Sequence, residues 1–345
     1  MVQAVTGRAS PQDRLRDLIG FTWKPHVVTA AAKLGLADAM GREAVHVDTL
    51  ASQVGADAES LARLLRAMAA IGLVRDDGEG RFALTDVGEC LRADSPQSLK
   101  GMALHVGTQI APALAQLAEC VATGAPPEGI AHGPDGFAEF ADKPAEAAIF
   151  NQSMVDNSRR FAALAVDAYD FTRFATIADI GGGYGAVLAT LLKAAPRATG
   201  CVMDLAHPRD GALALFAREG LTERARFVTA SFFDPLPETA DCYVLKYILH
   251  DWNDAYAEQI VARVGEAAAR NGGTVVLIER IMPDRFEALP DHAKAAQGDL
   301  SMMLWGGKER TRAEFEALFA KGNLALTQAV PLPDNHFVIE ARPRA

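Results

Sequence analysis

From residue 175 onward the chain alternates strand-like and helix-like runs. One turn in that alternation, Asp179-Ile180-Gly181-Gly182-Gly183-Tyr184-Gly185, constrains the fold more than any other feature. Strands read at 176–180, 200–203, 225–229, 242–246 and 274–279, with helices at about 185–195, 208–219 and 254–270 between them. That order predicts a parallel sheet covered on both faces. After Glu309, Thr311 with Glu314 three residues later forms a capping box and opens another helix. Two last strands, 324–331 and 336–341, joined by Pro333-Asp334-Asn335, predict an antiparallel hairpin at the sheet edge.

The glycines at 181, 183 and 185 stand between a strand and a helix, where they admit positive φ and let a ligand approach the backbone. The helix start offers free N–H groups to a carboxylate or phosphate. Asp204 ends the next strand, 21 residues after Gly183, and an acid there can take both hydroxyls of a ribose. Together these predict a nucleotide-like cofactor without naming it. Gly181, Gly183 and Ala186 also satisfy the dinucleotide pattern G-x-G-x-x-A, so a nicotinamide oxidoreductase is a rival. Context weighs against it, because a dehydrogenase usually carries a second mononucleotide half and this sheet ends in a hairpin.

Past the fourth of these strands comes VLKYILHDWNDAYAEQI, which places His250 just beyond the carboxyl edge, where open α/β sheets bind ligands. The next strand ends at Glu279. Adjacent strands lie about 4.8 Å apart, so Glu279 is expected to reach the His250 ring, fix its tautomer and favour protonation. GGKERT at 306–311 brings Glu309 from a glycine-flexible loop. One histidine and two acids at one edge suit general-base chemistry. The plainer reading makes His250 a helix-entry residue, with Asn253 as the helix cap and Glu309 paired only to Lys308 or Arg310.

The first 170 residues read as helices. Apolar positions over 12–40 are interrupted by Pro25; Asp48 is expected to cap one short helix and Asp57 a second, with Leu61, Leu64, Leu65 and Met68 inward. After Gly72, 73–75 and 81–84 read as a hairpin, which completes a winged-helix pattern. Residues 45–92 hold five Arg against eight Asp or Glu, the wrong sign for a groove-reading surface. A winged-helix regulator with a ligand-sensing domain is therefore disfavoured against a dimerisation wing. Residues 122–136 read as a Gly- and Pro-rich loop, and 144–170 as a helix with Phe150, Met154, Phe161 and Leu164 on one side.

A formal net charge of −10 argues against nucleic-acid and anionic-membrane partners. Half the residues are hydrophobic, enough for real cores, yet no run approaches ~18 apolar residues. The four cysteines are widely spaced and suggest neither disulfide scaffold nor metal site, and the charged first twenty residues do not read as a signal peptide. A cytoplasmic location is expected.

With these residues in view, the chain resembles a known family. DIGGGYG looks like the S-adenosylmethionine loop of class I methyltransferases. LKYILHDW and GGKERT look like the small-molecule O-methyltransferases related to caffeate, isoflavone and acetylserotonin O-methyltransferases. The resemblance spans almost the whole chain. It implies a mainly α N-terminal winged-helix dimerisation domain at 1–110 and a helical connector lining the substrate pocket at 111–170. Residues 171–345 would then be an α/β Rossmann-like class I methyltransferase domain with an antiparallel last strand. It implies methyl transfer from S-adenosyl-L-methionine to a hydroxyl of an aromatic small molecule, without a metal, in a homodimer. His250 would be the general base framed by Glu279 and Glu309, with Asp251 on the substrate side. Gly181, Gly183, Asp204 and Lys246 would hold the cofactor. Where family members commonly place an Asp-Met pair beside the adenine, this chain has Ser231 and Phe232, which offer a hydroxyl and a ring face. Phe150, Met154 and Met303 would line an apolar slot for a flat acceptor. Some relatives keep the cofactor and perform other chemistry or N-methylation, which is the alternative reading.

Overall fold

Asp57 caps the helix Ala58–Ala70 by accepting the amide of Ser60 at 2.8 Å, and the helix turns Leu61, Leu65 and Met68 into a core while Leu64 stays half-buried. The structure, a computed structural model, describes residues 10–20, 22–128, 137 and 139–344. The loop expected at 122–136 lies outside the described residues from 129 onward, and its first two residues end a helix, Leu117–Thr123. The chain divides into two compact units, Met1–Gln109 and Ile110–Ala345.

In the first unit, Pro25 sits in the first turn of the helix Trp23–Lys33, where a missing N–H is tolerated, so it starts a helix and does not break one. Strands β1 (Val45–His46), β2 (Val74–Gly78) and β3 (Arg81–Leu84) form a small sheet in the order β1-β3-β2. The cap of the helix Val47–Val54 is His46 and not Asp48. The backbone is still extended at His46, whose Nδ1 accepts the Asp48 amide at 3.2 Å; Asp48 already lies within the first turn.

The second unit contains the alternating strands: β4 (Thr176–Ile180), β5 (Thr199–Asp204), β6 (Ala225–Thr229), β7 (Cys242–Lys246), β8 (Thr274–Arg280), β9 (Leu324–Pro331) and β10 (His336–Pro343). Their order is β6-β5-β4-β7-β8-β10-β9. The first five are parallel, and β10 runs antiparallel to both β8 and β9. One face is covered by Phe161, Ala162 and Ala165 of the helix Pro144–Ala168, with Leu188 and Phe216 from the next two helices. The other is covered by Ile260 and Val264 of Asp254–Ala269 and Phe315 and Phe319 of Arg312–Lys321. The capping box at Thr311 and Glu314 is present. The helix Pro290–Leu304 was not expected from the sequence. No helix among the described residues is long and apolar enough to cross a membrane.

Buried Glu340 of β10 ties the end of helix Pro144–Ala168 to the sheet. It accepts hydrogen bonds from Tyr169 at 2.5 Å, Thr327 at 2.9 Å, Arg342 at 2.9 Å and Arg173. Burial favours its neutral form, but the donors Tyr169, Arg173, Thr327 and Arg342 outweigh that and bring its pKa down to about 2. A lowered carboxyl adds stability that is complete above its ordinary pKa and is lost as pH falls through the native one. Glu340→Gln should therefore cost on the order of 1–2 kcal/mol at neutral pH, allowing for solvent around the two arginines. The gap to the parent should close between pH 4.5 and about 2, which urea unfolding across that range measures.

Candidate active site

β7 ends at Lys246, and the next residue, Tyr247, takes a φ of +55°, a left-handed conformation that bulky residues adopt only under constraint. The constraint comes from β8. Parallel register pairs Lys246 with Ile278, which brings Glu279 level with the chain as it leaves the sheet. Glu279 Oε1 accepts the amides of Ile248 at 3.0 Å and Leu249 at 2.8 Å. Contrary to the expectation from strand adjacency, Glu279 meets the nearest free amides and not a nitrogen of the histidine ring; it holds the turn that carries the ring, and its charge still favours the protonated ring.

His250 lies in that turn, a single 3-10 turn over Leu249–Asp251, and is buried. Its Nδ1 is 3.1 Å from Oε1 of Glu309, and its Nε2 is 3.4 Å from Oδ1 of Asp251. Tyr247 stacks on the ring with centroids 4.7 Å apart, and its hydroxyl pairs with His336. Gly307 explains the loop's glycine: a Cβ there would fall 2.1 Å from the His250 carbonyl oxygen, so only glycine lets this strand of chain run against the turn. Lys308 N donates to that carbonyl at 2.9 Å. Glu309 does not pair with its neighbours; its Oε1 also accepts from Arg280 at 3.0 Å, and its amide donates to Asp299 at 3.0 Å.

Sequence reasoning missed Tyr247, Arg280 and Asp299. Arg280 follows Glu279 directly and was legible as a charge at the same sheet edge. Asp299 sits on the unexpected helix Pro290–Leu304, whose Gly298 lies against Arg280.

The residues assigned to a cofactor follow the carboxyl ends of β4 to β7. Gly181 and Gly183 have φ of +66° and +55°; a Cβ at Gly181 would strike Ile248, whereas the space over Gly183 is open to 3.7 Å. Asp204 Oδ2 accepts the Gly183 amide at 2.7 Å, and burial raises its carboxyl to about 6. Ser231 Oγ accepts the Phe233 amide at 3.2 Å, and Phe232 meets Trp252 edge-on at 5.7 Å. Lys246 is buried, its Nζ 3.6 Å from the centre of the Tyr247 ring without a hydrogen-bond partner among the described residues. Burial pulls its pKa down to about 7.

Of the residues expected to line the acceptor slot, Phe150 stacks on Phe140 at 5.0 Å within a ring cluster that includes Phe137 and Trp252. Met154 is half-buried on the same helix as Phe150. Met303 packs instead in a small cluster with Ala113, Cys120 and Leu304.

Comparison with known proteins bears on this geometry. Residues 114–323 match the model of the O-methyltransferase domain, and residues 17–94 that of the O-methyltransferase dimerisation domain. The chain belongs to the O-methyltransferase family. It is an S-adenosylmethionine-dependent enzyme of that family, and the oxidoreductase and regulator readings fall away. This O-methyltransferase is 33% identical to the phenazine O-methyltransferase PhzM of Lysobacter antibioticus, over 95% of each chain. It is 36% identical to the 2,7-dihydroxy-5-methyl-1-naphthoate 7-O-methyltransferase of Streptomyces carzinostaticus, over 89% of this chain and 91% of that one. Among solved structures it resembles NcsB1, an O-methyltransferase from neocarzinostatin biosynthesis in complex with S-adenosylmethionine and 2-hydroxy-5-methyl naphthoic acid. The TM-score is 0.76 at 33% identity, covering 95% of this chain and 98% of that one.

The electrostatics of the O-methyltransferase's histidine follow from its partners. Burial disfavours the charged ring, but Glu309, Asp251 and, more weakly, Glu279 override it and raise His250 to about 9. Glu309→Gln removes the largest of these attractions and leaves Asp251 and Glu279 to offset burial. An NMR titration of His250 should give a midpoint near 9 in the parent, and one well below that in Glu309→Gln. An unmoved midpoint would show that the Glu309 contact does not govern the ring.

Proposed function

We propose that this enzyme methylates a hydroxyl of an aromatic small molecule, with His250 taking the acceptor's proton. The observation that carries the reading is the buried ring of His250, oriented through Nδ1 by Glu309, with Nε2 beside Asp251. S-adenosylmethionine, when bound, supplies a sulfonium methyl that needs only an aligned nucleophile behind it. Gly181, Gly183 and Asp204 would hold it at the carboxyl edge, with Ser231 and Phe232 beside the adenine. The buried amine of Lys246, with no acceptor among the described residues, suits a carboxylate that would favour its charged form, and the Asp204 carboxylate suits ribose hydroxyls, so the residues present fit this cofactor.

An aromatic hydroxyl near pKa ~10 is a poor nucleophile at neutral pH. A base raised toward that value is better matched to its proton than an ordinary histidine, although less of it is in the neutral form at pH 7. Glu309 keeps the tautomer with Nε2 free to accept, and Asp251 stabilises the ring once it is charged. Phe150, Met154 and Met303 are assigned to the acceptor's flat face, Phe150 with the support of its stacking on Phe140. The relatives named above act on phenazine and naphthoate compounds, which supports a fused aromatic acceptor.

The reading extends to assembly as a homodimer through the N-terminal unit. The matched dimerisation domain supports it, as do the exposed Leu15, Leu18 and Ile19 of the helix Pro11–Gly20. Sedimentation at micromolar concentration should give twice the 36.7 kDa chain mass, and a species of one chain mass would overturn this assembly.

His250→Ala should reduce turnover of a weakly acidic phenol by ~100-fold to 10,000-fold, the range for a positioned base. Cofactor affinity should stay within about two-fold, since the ring faces the acceptor. Turnover within a few-fold of the parent would mean that alignment alone drives transfer.

A further inference from the structure

The turn that carries His250 is also gripped through its carbonyls. Arg310 is only 1% exposed. Its Nη1 donates to the Leu249 carbonyl at 2.6 Å, and its Nη2 to the Trp252 carbonyl at 2.8 Å and to Asp254 Oδ1 at 2.9 Å. Its Nε also donates to Asp254, at 3.2 Å. One planar guanidinium therefore binds carbonyls on both sides of His250 and Asp251. The carbonyl of His250 itself is taken by Lys308 N, and the ring by Glu309. Three consecutive residues thus fix the turn by three carbonyls and one ring nitrogen.

We propose that Arg310 is a positioning residue for proton abstraction, setting where the His250 ring stands through the Leu249 and Trp252 carbonyls. The inference rests on His250 acting as the base. The fork matters because its N–H groups lie in fixed directions in one plane, a pattern that an ammonium on a flexible stem does not reproduce. The requirement is strict because a displacement near 1 Å costs about 100-fold in a reaction that depends on alignment. Gly307 makes the grip possible by allowing residues 307–310 to lie against the turn.

The test compares Arg310→Lys, Arg310→Met and His250→Ala on two acceptors, a phenol of pKa ~10 and an aromatic hydroxyl already ionised at neutral pH. Binding of S-adenosylmethionine is measured by calorimetry in each. Arg310→Lys should lower kcat for the weakly acidic phenol by ~10-fold or more. The ionised acceptor should fall by no more than about three-fold, because it needs no base. Cofactor affinity should hold within about two-fold, and Arg310→Met should be the more severe variant. Equal losses on both acceptors would assign Arg310 a purely structural role and overturn the inference, as would unchanged turnover in both variants. If His250→Ala keeps its turnover of the weak phenol, it is the base assignment that fails. Should the Arg310 variants not fold, Asp254→Asn loosens the same guanidinium from an exposed partner. It should give the same acceptor-selective loss, about three-fold, and an equal fall on both acceptors would again overturn the inference.

Discussion

Every feature of the site depends on how the chain leaves β7. A strand end normally hands its free amides to water; here the Glu279 carboxylate, carried on the neighbouring parallel strand, accepts two of them in the protein interior. That contact stabilises a left-handed Tyr247, and the reversed direction of the chain then places the next ring, His250, against Glu309 rather than along the sheet. Removing such an acceptor leaves two buried N–H groups without partners, each costing about 1–3 kcal/mol. The turn is therefore as much a product of β8 as of its own residues.

The buried ionisable groups around this turn share one dielectric environment. Burial raises Asp179 and Glu279 to about 7 and Asp204 and Asp251 to about 6, while it lowers Lys246 to about 7. Exposed groups of these types would be fully charged at neutral pH. Glu309 departs from the pattern: burial works against its charge as well, but His250 and Arg280 together hold it ionised. It is the fixed anion on which the ring's proton affinity turns.

The periodic parts of the fold were legible in the sequence. Alternation located β4 to β10 and the helices between them other than Pro290–Leu304, because strand and helix spacing is a local property. The cap at Asp57 and the box at Thr311 and Glu314 were legible for the same reason. What escaped was set by tertiary contact. Glu279 was read as a partner of the ring because adjacency of strands says which residues are near, not which donors they meet first. Helix Pro290–Leu304 has a weak apolar stripe, with only Ala295 and Leu304 fully buried, so its periodicity carried little signal. Asp48 looked like a cap by type, but the end of β1 moved the boundary two residues earlier, to His46. Of the site, the histidine and both glutamates were legible as types in motifs; Arg280 was legible only as a charge at the sheet edge, and the Asp299 contact follows from no spacing rule.

Gly307 has a consequence for how such an enzyme diversifies. The ring of His250 is located by backbone amides, backbone carbonyls and a few buried side chains from β8 and residues 307–310. Phe150 and Met154 project from a separate helix and take no part in those bonds. The bonds that place the ring and the two side chains proposed for the acceptor, Phe150 and Met154, thus lie on different stretches of chain. Drift at Phe150 and Met154 leaves those bonds intact, so one scaffold can present many contours to its substrates.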